Sequence, residues 1–207
     1  MSDRVEKEKR LAAEAAAALV EDGMTVGLGT GTTVAYLLPP LAARRLDIRC
    51  VATSPATAAK ASSLGIRVDE FRAIGRLDLA IDGADQVTPD RWLIKGGGGA
   101  HTREKVVAAA ADRFVVIVSS DKKVERLSPP VPLEVLGFAL ESTLRRLGAA
   151  RVRTGAPPSP DGGVIADWLD PFPDPAALAR HLDADPGVVS HGLFDPSLVA
   201  QVLVGGE

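Results

Sequence analysis

The sequence predicts an α/β fold, in which a doubly wound parallel sheet is followed by a smaller α+β domain. Apolar strand-like runs alternate with helical patterns between residues 3 and 119, as expected of a parallel sheet with crossover helices. The run FVVIVS at 114–119 is almost entirely apolar, which is typical of strands covered by helices on both faces. The proline-rich segment 128–132 then precedes a different pattern.

The predicted first domain consists of four helices and five strands. Its first helix ends at Gly23 and its third at Gly65, because glycine is favoured just after a helix. Pro39 and Pro40 mark an irregularity within the second helix. The predicted helices are 3–22, 34–46, 56–64 and 102–112, and the predicted strands are 25–28, 48–53, 66–71, 77–81 and 114–119.

The predicted second domain is a small α+β unit. We expect helices at 133–147 and 175–182, short strands near 150–153, 164–168 and 187–190, and a turn or exposed loop in GAPPSPDGG. The last apolar run, 198–204, is interpreted as a strand that returns to the large sheet. The predicted domains are therefore 1–128 plus 197–207, and 129–196.

Composition excludes several classes of function. The chain has 207 residues, 46% of them hydrophobic, which is enough to bury a core. A net charge of -3, with acidic and basic residues intermixed, argues against nucleic acid as a partner. Cys50 is the only cysteine, so an internal disulfide and a multi-cysteine metal site are excluded. The segment MSDRVEKEKR lacks the apolar core of a signal peptide, and no stretch approaches the length of a charge-free membrane span. We therefore expect a cytoplasmic protein without membrane contact.

The first chemical motif is GLGTGTT at residues 27–33. A glycine-rich turn between a strand and a helix offers backbone N–H groups and the positive end of the helix to an anion, and the threonines add hydroxyl groups. Two nucleotide-binding motifs are excluded. The pattern G-x-G-x-x-G would need glycine in place of Val34 if it began at Gly29, or in place of Thr32 if it began at Gly27. No Gly-Lys-Ser/Thr triplet completes a Walker A loop. We predict a phosphate site, with a ligand-free tight turn as the alternative.

The second motif is DGAD, with Asp82 and Asp85 directly after a predicted buried strand. Two carboxylates at the same sheet edge can disturb each other's titration, so that one holds a proton for transfer to a sugar oxygen. The alternative is an Asx-turn, in which an aspartate only caps the backbone of its own loop.

The third motif joins KGGGG, at residues 95–99, to TREK at 102–105. Glycine amides can stabilise a developing oxyanion, and Lys95 can add a cationic donor. Glu104 falls in the first turn of the next helix, where compensation of the helix dipole is the alternative role. The three histidines lack metal-ligand spacing, so no metal site is predicted, and His101 is given no catalytic role.

These motifs, with SSDKK at 119–123 and PGVVSHGLF at 186–194, resemble ribose-5-phosphate isomerase of the A type, in order along most of the chain. That family interconverts ribose 5-phosphate and ribulose 5-phosphate through an enediolate, without a cofactor, in the pentose phosphate pathway. The resemblance implies a Rossmann-like three-layer αβα large domain, a ferredoxin-like small domain, and assembly as a homodimer or homotetramer.

The resemblance also implies roles for individual residues. Glu104 would be the base that moves a proton between C1 and C2, while Asp82 and Lys95 would serve proton transfer at the oxygens and ring opening, with Asp85 in the same site. The implied substrate-binding residues are Thr30, Gly31, Thr32, Thr33, Gly83, Ala84, Gly96, Gly97, Gly98, Lys122 and Lys9.

Two other classes of protein remain as alternatives. A non-catalytic sugar-phosphate sensor would share the phosphate loop but would not need Glu104, Asp82 and Lys95 together. An acyl-CoA transferase would use a glutamate as a nucleophile, and this chain looks short for it.

Overall fold

The structure, a computed structural model, describes residues 3–207 except for the side chain of Ala73. The helices are α1 (Asp3–Ala18), α2 (Thr32–Ala43), α3 (Pro55–Ser63), α4 (His101–Ala109), α5 (Leu140–Leu147) and α6 (Pro175–Asp183). The strands are β1 (Thr25–Leu28), β2 (Arg49–Ala52), β3 (Leu79–Asp82), β4 (Gln86–Val87), β5 (Leu93–Ile94), β6 (Phe114–Val118), β7 (Val131–Val135), β8 (Ala150–Val152), β9 (Val164–Trp168), β10 (Val188–His191), β11 (Leu193–Phe194) and β12 (Val199–Val204).

The chain forms two compact units, which we call the sheet unit and the α+β unit. The sheet unit runs up to Ala84 and continues in Arg103–Lys123 and Ser197–Glu207, and the α+β unit consists of Asp85–Thr102 and Val124–Pro196. This grouping differs from the predicted boundaries over 85–102 and 124–128, because β4 and β5 pair with β11 in a small antiparallel sheet. The division into domains stays a prediction.

The sheet unit contains a five-stranded parallel sheet in the order β2-β1-β3-β6-β12. Numbered by their order in the sheet unit, the strands run 2-1-3-4-5, which is one of the two common doubly wound arrangements. The predicted parallel sheet and the predicted return of the last strand are both confirmed.

Helices cover this sheet on both faces. Alternate strand residues share a core with α1 and α2, namely Val26, Leu28, Leu79, Ile81, Val115 and Ile117. Gly27 points to the opposite face, where a side chain would overlap Val107 of α4, so its lack of a Cβ lets α4 lie close to the sheet. The three-layer αβα architecture is thereby confirmed.

Within the α+β unit, residues 131–191 have the chain order β7-α5-β8-β9-α6-β10, with an antiparallel sheet in the order β10-β7-β9-β8. This is the ferredoxin-like split βαβ arrangement, as expected. Its core includes Val131, Leu133 and Val135 of β7, which pack with Leu178 and Leu182 of α6.

Two predicted elements are wrong. The helix expected over 133–147 begins only at Leu140, because residues 131–135 form a central strand whose alternate side chains enter the core. The same strand includes the last two residues of the predicted linker. The strand expected over 66–71 is reduced to an isolated bridge between Val68 and Cys50, since this segment lies at the sheet edge and Asp69 there pairs with Arg49.

Within residues 3–207, no helix has the length and apolar character needed to cross a membrane.

Candidate active site

The strand order of the large sheet reverses between β1 and β3, and ligands of doubly wound sheets bind where the order reverses, beyond the carboxyl ends of the strands. GTGTT occupies the loop after β1 and the start of α2, and DGAD begins at Asp82, the last residue of β3, and continues into the loop after it. The first two predicted motifs therefore leave the sheet from the two strands that flank this switch point.

The Asp82 carboxylate connects these two loops. It is 3% exposed, and its Oδ1 accepts hydrogen bonds from the backbone N–H of Thr30 at 3.1 Å and of Gly83 at 2.7 Å. A Cβ on Gly29 would overlap the same carboxylate, so only glycine allows the β1 loop to come this close. The two amides thus fix the orientation of the carboxylate.

The β1 loop opens directly into α2, which starts at Thr32, two residues earlier than predicted. Gly31, the residue before the helix, has φ of 115° and ψ of 178°, a conformation that essentially only glycine adopts. Gly31 and Thr32 are exposed, so the amides of the first helical turn are accessible to an anion.

Three further predicted residues belong to the sheet unit. Glu104 lies in the first turn of α4 and is only 5% exposed. Compensation of the helix dipole alone would not require this burial. Lys9 of α1 is also buried, and its Nζ donates to Glu6 Oε1 at 2.9 Å. Hydrogen bonds, first from Tyr36 and then from Lys9, hold the pKa of Glu6 below its usual value. Lys122 is half-exposed in the short turn after β6.

In the α+β unit, Lys95 directly follows β5 and is 3% exposed. Its backbone N–H donates to the carbonyl of Gly192 at 2.9 Å, and its Nζ lies 5.5 Å from the ring centroid of Phe194. A side chain on Gly192 would overlap the Lys95 carbonyl, so the PGVVSHGLF segment needs glycine at this contact. The lysine is therefore held by its backbone and by an aromatic face.

The glycine loop, residues 96–99, is a tight turn. Gly96 has φ of 102° and Gly99 has φ of 75°, and the Gly99 N–H donates to the Gly96 carbonyl at 3.0 Å. The Gly97 N–H donates to Asp85 Oδ2 at 2.8 Å. His101 is fully buried, and a Cβ on Gly96 would lie 2.7 Å from its Nδ1, so the imidazole packs directly on the loop.

Sequence reasoning missed two side chains that contact predicted residues. Thr53 follows β2, and its hydroxyl lies 2.8 Å from that of Thr30. This contact could have been expected, because β1 and β2 are parallel neighbours whose carboxyl ends lie at the same sheet edge. Arg153 donates to the carbonyls of Gly96 and Gly97 while paired with Asp167, and no local pattern in the sequence marks it.

The predicted residues therefore fall into two groups, one in each unit. The sheet unit brings Asp82, Thr30 and Gly83 into direct contact, and the α+β unit brings Asp85 into contact with the glycine loop that follows Lys95. Among residues 3–207, no group of three or more His, Cys, Asp or Glu side chains is arranged to hold a metal ion.

Comparison with protein families gives two matches. The family described as ribose 5-phosphate isomerase A (phosphoriboisomerase A) matches residues 49–207. The family described as the DeoR C terminal sensor domain matches residues 4–69.

Individual relatives match along the whole chain. Ribose-5-phosphate isomerase A of Roseiflexus sp. (strain RS-1) is 47% identical over 223 residues, covering 100% of this chain and 95% of the relative. The solved structure of ribose 5-phosphate isomerase A from Methanocaldococcus jannaschii is similar with a TM-score of 0.91 at 34% identity, covering 98% of this chain and 96% of that one. A D-ribose-5-phosphate isomerase in complex with phospho-erythronic acid gives a TM-score of 0.92 at 33% identity, covering 99% and 96%.

Proposed function

This chain belongs to the ribose 5-phosphate isomerase A family, and we propose that it interconverts D-ribose 5-phosphate and D-ribulose 5-phosphate through an enediolate, without a cofactor. The observation that carries the proposal is the Asp82 carboxylate, which two backbone amides hold at the β1/β3 switch point beside the GTGTT loop. A preset acid group next to an anion-binding loop suits a phosphorylated sugar whose oxygens exchange a proton.

The phosphate is proposed to bind at residues 30–33. The exposed amides of the first turn of α2, the threonine hydroxyls and the positive end of the helix all favour a dianion. Lys9 and Lys122 are proposed to add positive charge. This grip orients an otherwise flexible sugar chain, so that the reacting carbons are held in a fixed position.

Glu104 is proposed as the base. In the direction from aldose to ketose, its carboxylate removes the proton from C2, the electron pair forms the C1–C2 double bond, and the carbonyl oxygen at C1 becomes the oxyanion. The same proton then returns to C1 as the carbonyl forms at C2. The burial of Glu104 supports this role, because a glutamate that only compensates the helix dipole gains nothing from leaving water.

Asp82, Lys95 and Asp85 are proposed to handle the oxygens. Moving the carbonyl from C1 to C2 requires one proton to pass from O2 to O1, and a fixed carboxylate can accept and return it. The Lys95 ammonium and the amides of Gly96 and Gly98 are proposed to stabilise the enediolate oxyanion, and Gly97 is proposed to contact the substrate as part of the same loop. Asp85 supports them by accepting from the Gly97 amide, and Gly83 and Ala84 are proposed to line the substrate.

The test is turnover of ribose 5-phosphate in the presence of EDTA by the wild type, Glu104→Gln and Glu141→Gln. Glu141 is the matched control, because it is exposed and lies in the first turn of α5 as Glu104 does in α4. Loss of the base is expected to lower kcat by about 10²–10⁴-fold, whereas Glu141→Gln retains full activity. Full activity of Glu104→Gln would refute the base, and no turnover by the wild type would refute the function.

A sugar-phosphate sensor is the second candidate, since the sensor-domain match covers 4–69 and thus the phosphate loop. That match includes none of Asp82, Lys95 and Glu104. Phosphate binding without turnover by the wild type would favour this candidate.

Cytoplasmic location and assembly as a homodimer or homotetramer are also proposed. Light scattering on the purified chain tests the assembly, and a monomeric mass would contradict it.

A further inference from the structure

Arg153, which follows β8, uses both edges of its guanidinium group at once. Its Nε and Nη2 donate to the two carboxylate oxygens of Asp167, at 2.8 and 2.6 Å. Its Nη1 donates to the carbonyl of Gly96 at 3.1 Å and to that of Gly97 at 3.0 Å. The bidentate pair sets the orientation of the guanidinium plane, and that plane in turn fixes two successive peptides of the glycine loop.

The direction of a peptide carbonyl determines the direction of the N–H in the same peptide, because a trans peptide is planar and its C=O and N–H point to opposite sides. The Gly96 carbonyl faces Arg153, so the Gly97 N–H faces away, and Asp85 Oδ2 accepts it at 2.8 Å. The first peptide is therefore held at both ends.

The next peptide is held only at its carbonyl end. The Gly97 carbonyl faces Arg153, so the Gly98 N–H also points away from the guanidinium. Gly98 is exposed, and no residue in the described range 3–207 accepts a hydrogen bond from its amide. An amide with a fixed direction and no acceptor within the protein is the donor that an oxyanion site requires.

We propose that Arg153 is a positioning residue that orients the Gly98 amide as a preset donor for the enediolate oxyanion. Asp167 holds Arg153 in place, and Asp85 fixes the preceding peptide, so the loop keeps this amide direction when no substrate is bound. This role rests on the proposed isomerase function. Arg153 supports the glycine loop from a distant part of the sequence, because glycines have no side chains with which to hold the loop themselves.

The chain provides a matched control in Arg146. Arg146 makes the same bidentate pair with Asp185, through Nε and Nη2 at 2.7 Å each, in the same unit. Its remaining donors go to the hydroxyls of Ser142 and Thr143 and to no carbonyl of the glycine loop. Replacing either arginine removes a comparable ion pair, but only Arg153 supports the loop.

The experiment compares Arg153→Lys, Arg153→Met and Arg146→Met in steady-state kinetics with ribose 5-phosphate, alongside thermal unfolding. Lysine keeps the charge beside Asp167 but cannot hold a carboxylate and two carbonyls together. Both Arg153 variants are expected to lower kcat by about 10- to 100-fold, somewhat less than outright removal of an oxyanion donor, while KM changes by less than about threefold. Arg146→Met is expected to keep the kcat of the wild type.

Hydrogen–deuterium exchange of the peptide 93–100 gives a readout that does not depend on activity. Exchange in this peptide is expected to accelerate in Arg153→Lys and to stay unchanged in Arg146→Met. A kcat within about twofold of the wild type in Arg153→Met would overturn the proposal. A rise in KM alone, or loop exchange equal to that of the wild type, would also overturn it. An inactive wild type would instead refute the isomerase function, so the two failures are distinguishable.

Discussion

Gly29→Ala isolates the effect of the close approach between the β1 loop and Asp82. Gly29 does not have a positive φ, so alanine meets no backbone strain there, and the whole penalty comes from overlap of the new Cβ with the carboxylate. Relieving that overlap requires the carboxylate to move away from the amides of Thr30 and Gly83, which donate hydrogen bonds to it at 3.1 and 2.7 Å.

The magnitude follows from these two hydrogen bonds. A hydrogen bond to a charged group contributes about 1.5–3 kcal/mol, so losing both costs about 3–6 kcal/mol. Alanine offsets about 0.4–1 kcal/mol of this loss by restricting the unfolded chain. We therefore expect the free energy of unfolding to fall by about 2–5 kcal/mol, together with a loss of isomerase activity as Asp82 leaves its position.

Two other glycines of the same unit serve as controls in urea unfolding. Gly75 has open space and no positive φ, so Gly75→Ala is expected to be neutral or to stabilise by up to about 1 kcal/mol. Gly31 also has open space but a φ of 115°, so Gly31→Ala is expected to cost about 1–3 kcal/mol through backbone strain alone. A Gly29→Ala protein as stable as Gly75→Ala would refute the reasoning.

Three further predictions concern buried polar and thiol groups. Glu134 is 2% exposed and accepts hydrogen bonds from the hydroxyls of Thr102 and Ser159. Glu134→Ala is therefore expected to lower the free energy of unfolding by about 3–5 kcal/mol, and Ser159→Ala to lower it by clearly less. Equal losses in urea unfolding would contradict this expectation. Hydrogen bonds from Arg4 and then from Ser120 lower the pKa of Glu8 from 4.5 to about 2, so its contribution to stability is complete above pH 4.5 and is lost as the pH falls towards 2. The difference in Tm between the wild type and Glu8→Gln should shrink over that range, and a constant difference would count against the interaction. Burial raises the pKa of Cys50 to about 12, so a thiol reagent at pH 8 should label it only in urea, and rapid labelling of the folded chain would show otherwise.

Local patterns were sufficient to predict the parallel sheet. β6 is a continuous apolar run, β1 and β3 are mostly apolar, and each is followed by a glycine or polar loop and then by a helical pattern or another strand. This order is typical of a parallel sheet with crossover helices. The same reasoning failed at β7, where Val131, Leu133 and Val135 alternate with Pro132 and Glu134, because the prolines were interpreted as a linker and the residues after them as a helix. A buried glutamate is unexpected in a central strand, and only the two hydroxyls that reach it from other segments explain its presence.

Local patterns also led to the candidate site residues, whose roles remain predictions. Motifs such as DGAD and KGGGG were noticed because they place carboxylates or consecutive glycines in loops, where binding and catalytic residues are concentrated. Arg153 was not found, because the role proposed for it depends on contacts with Gly96, Gly97 and Asp167 that bring together separate parts of the sequence. Supporting residues of this kind become visible only through tertiary contacts.

The pairing of β12 with β6 has a consequence for how the chain folds. These strands are neighbours in the large sheet, yet the whole segment 119–198 lies between them in the sequence. Closing so long a loop is entropically costly unless the intervening chain has already become compact, which the α+β unit can do through its own core. During synthesis, β6 would therefore present an unpaired apolar edge until residues 199–204 emerge, and an edge of this kind can pair with other chains and cause aggregation.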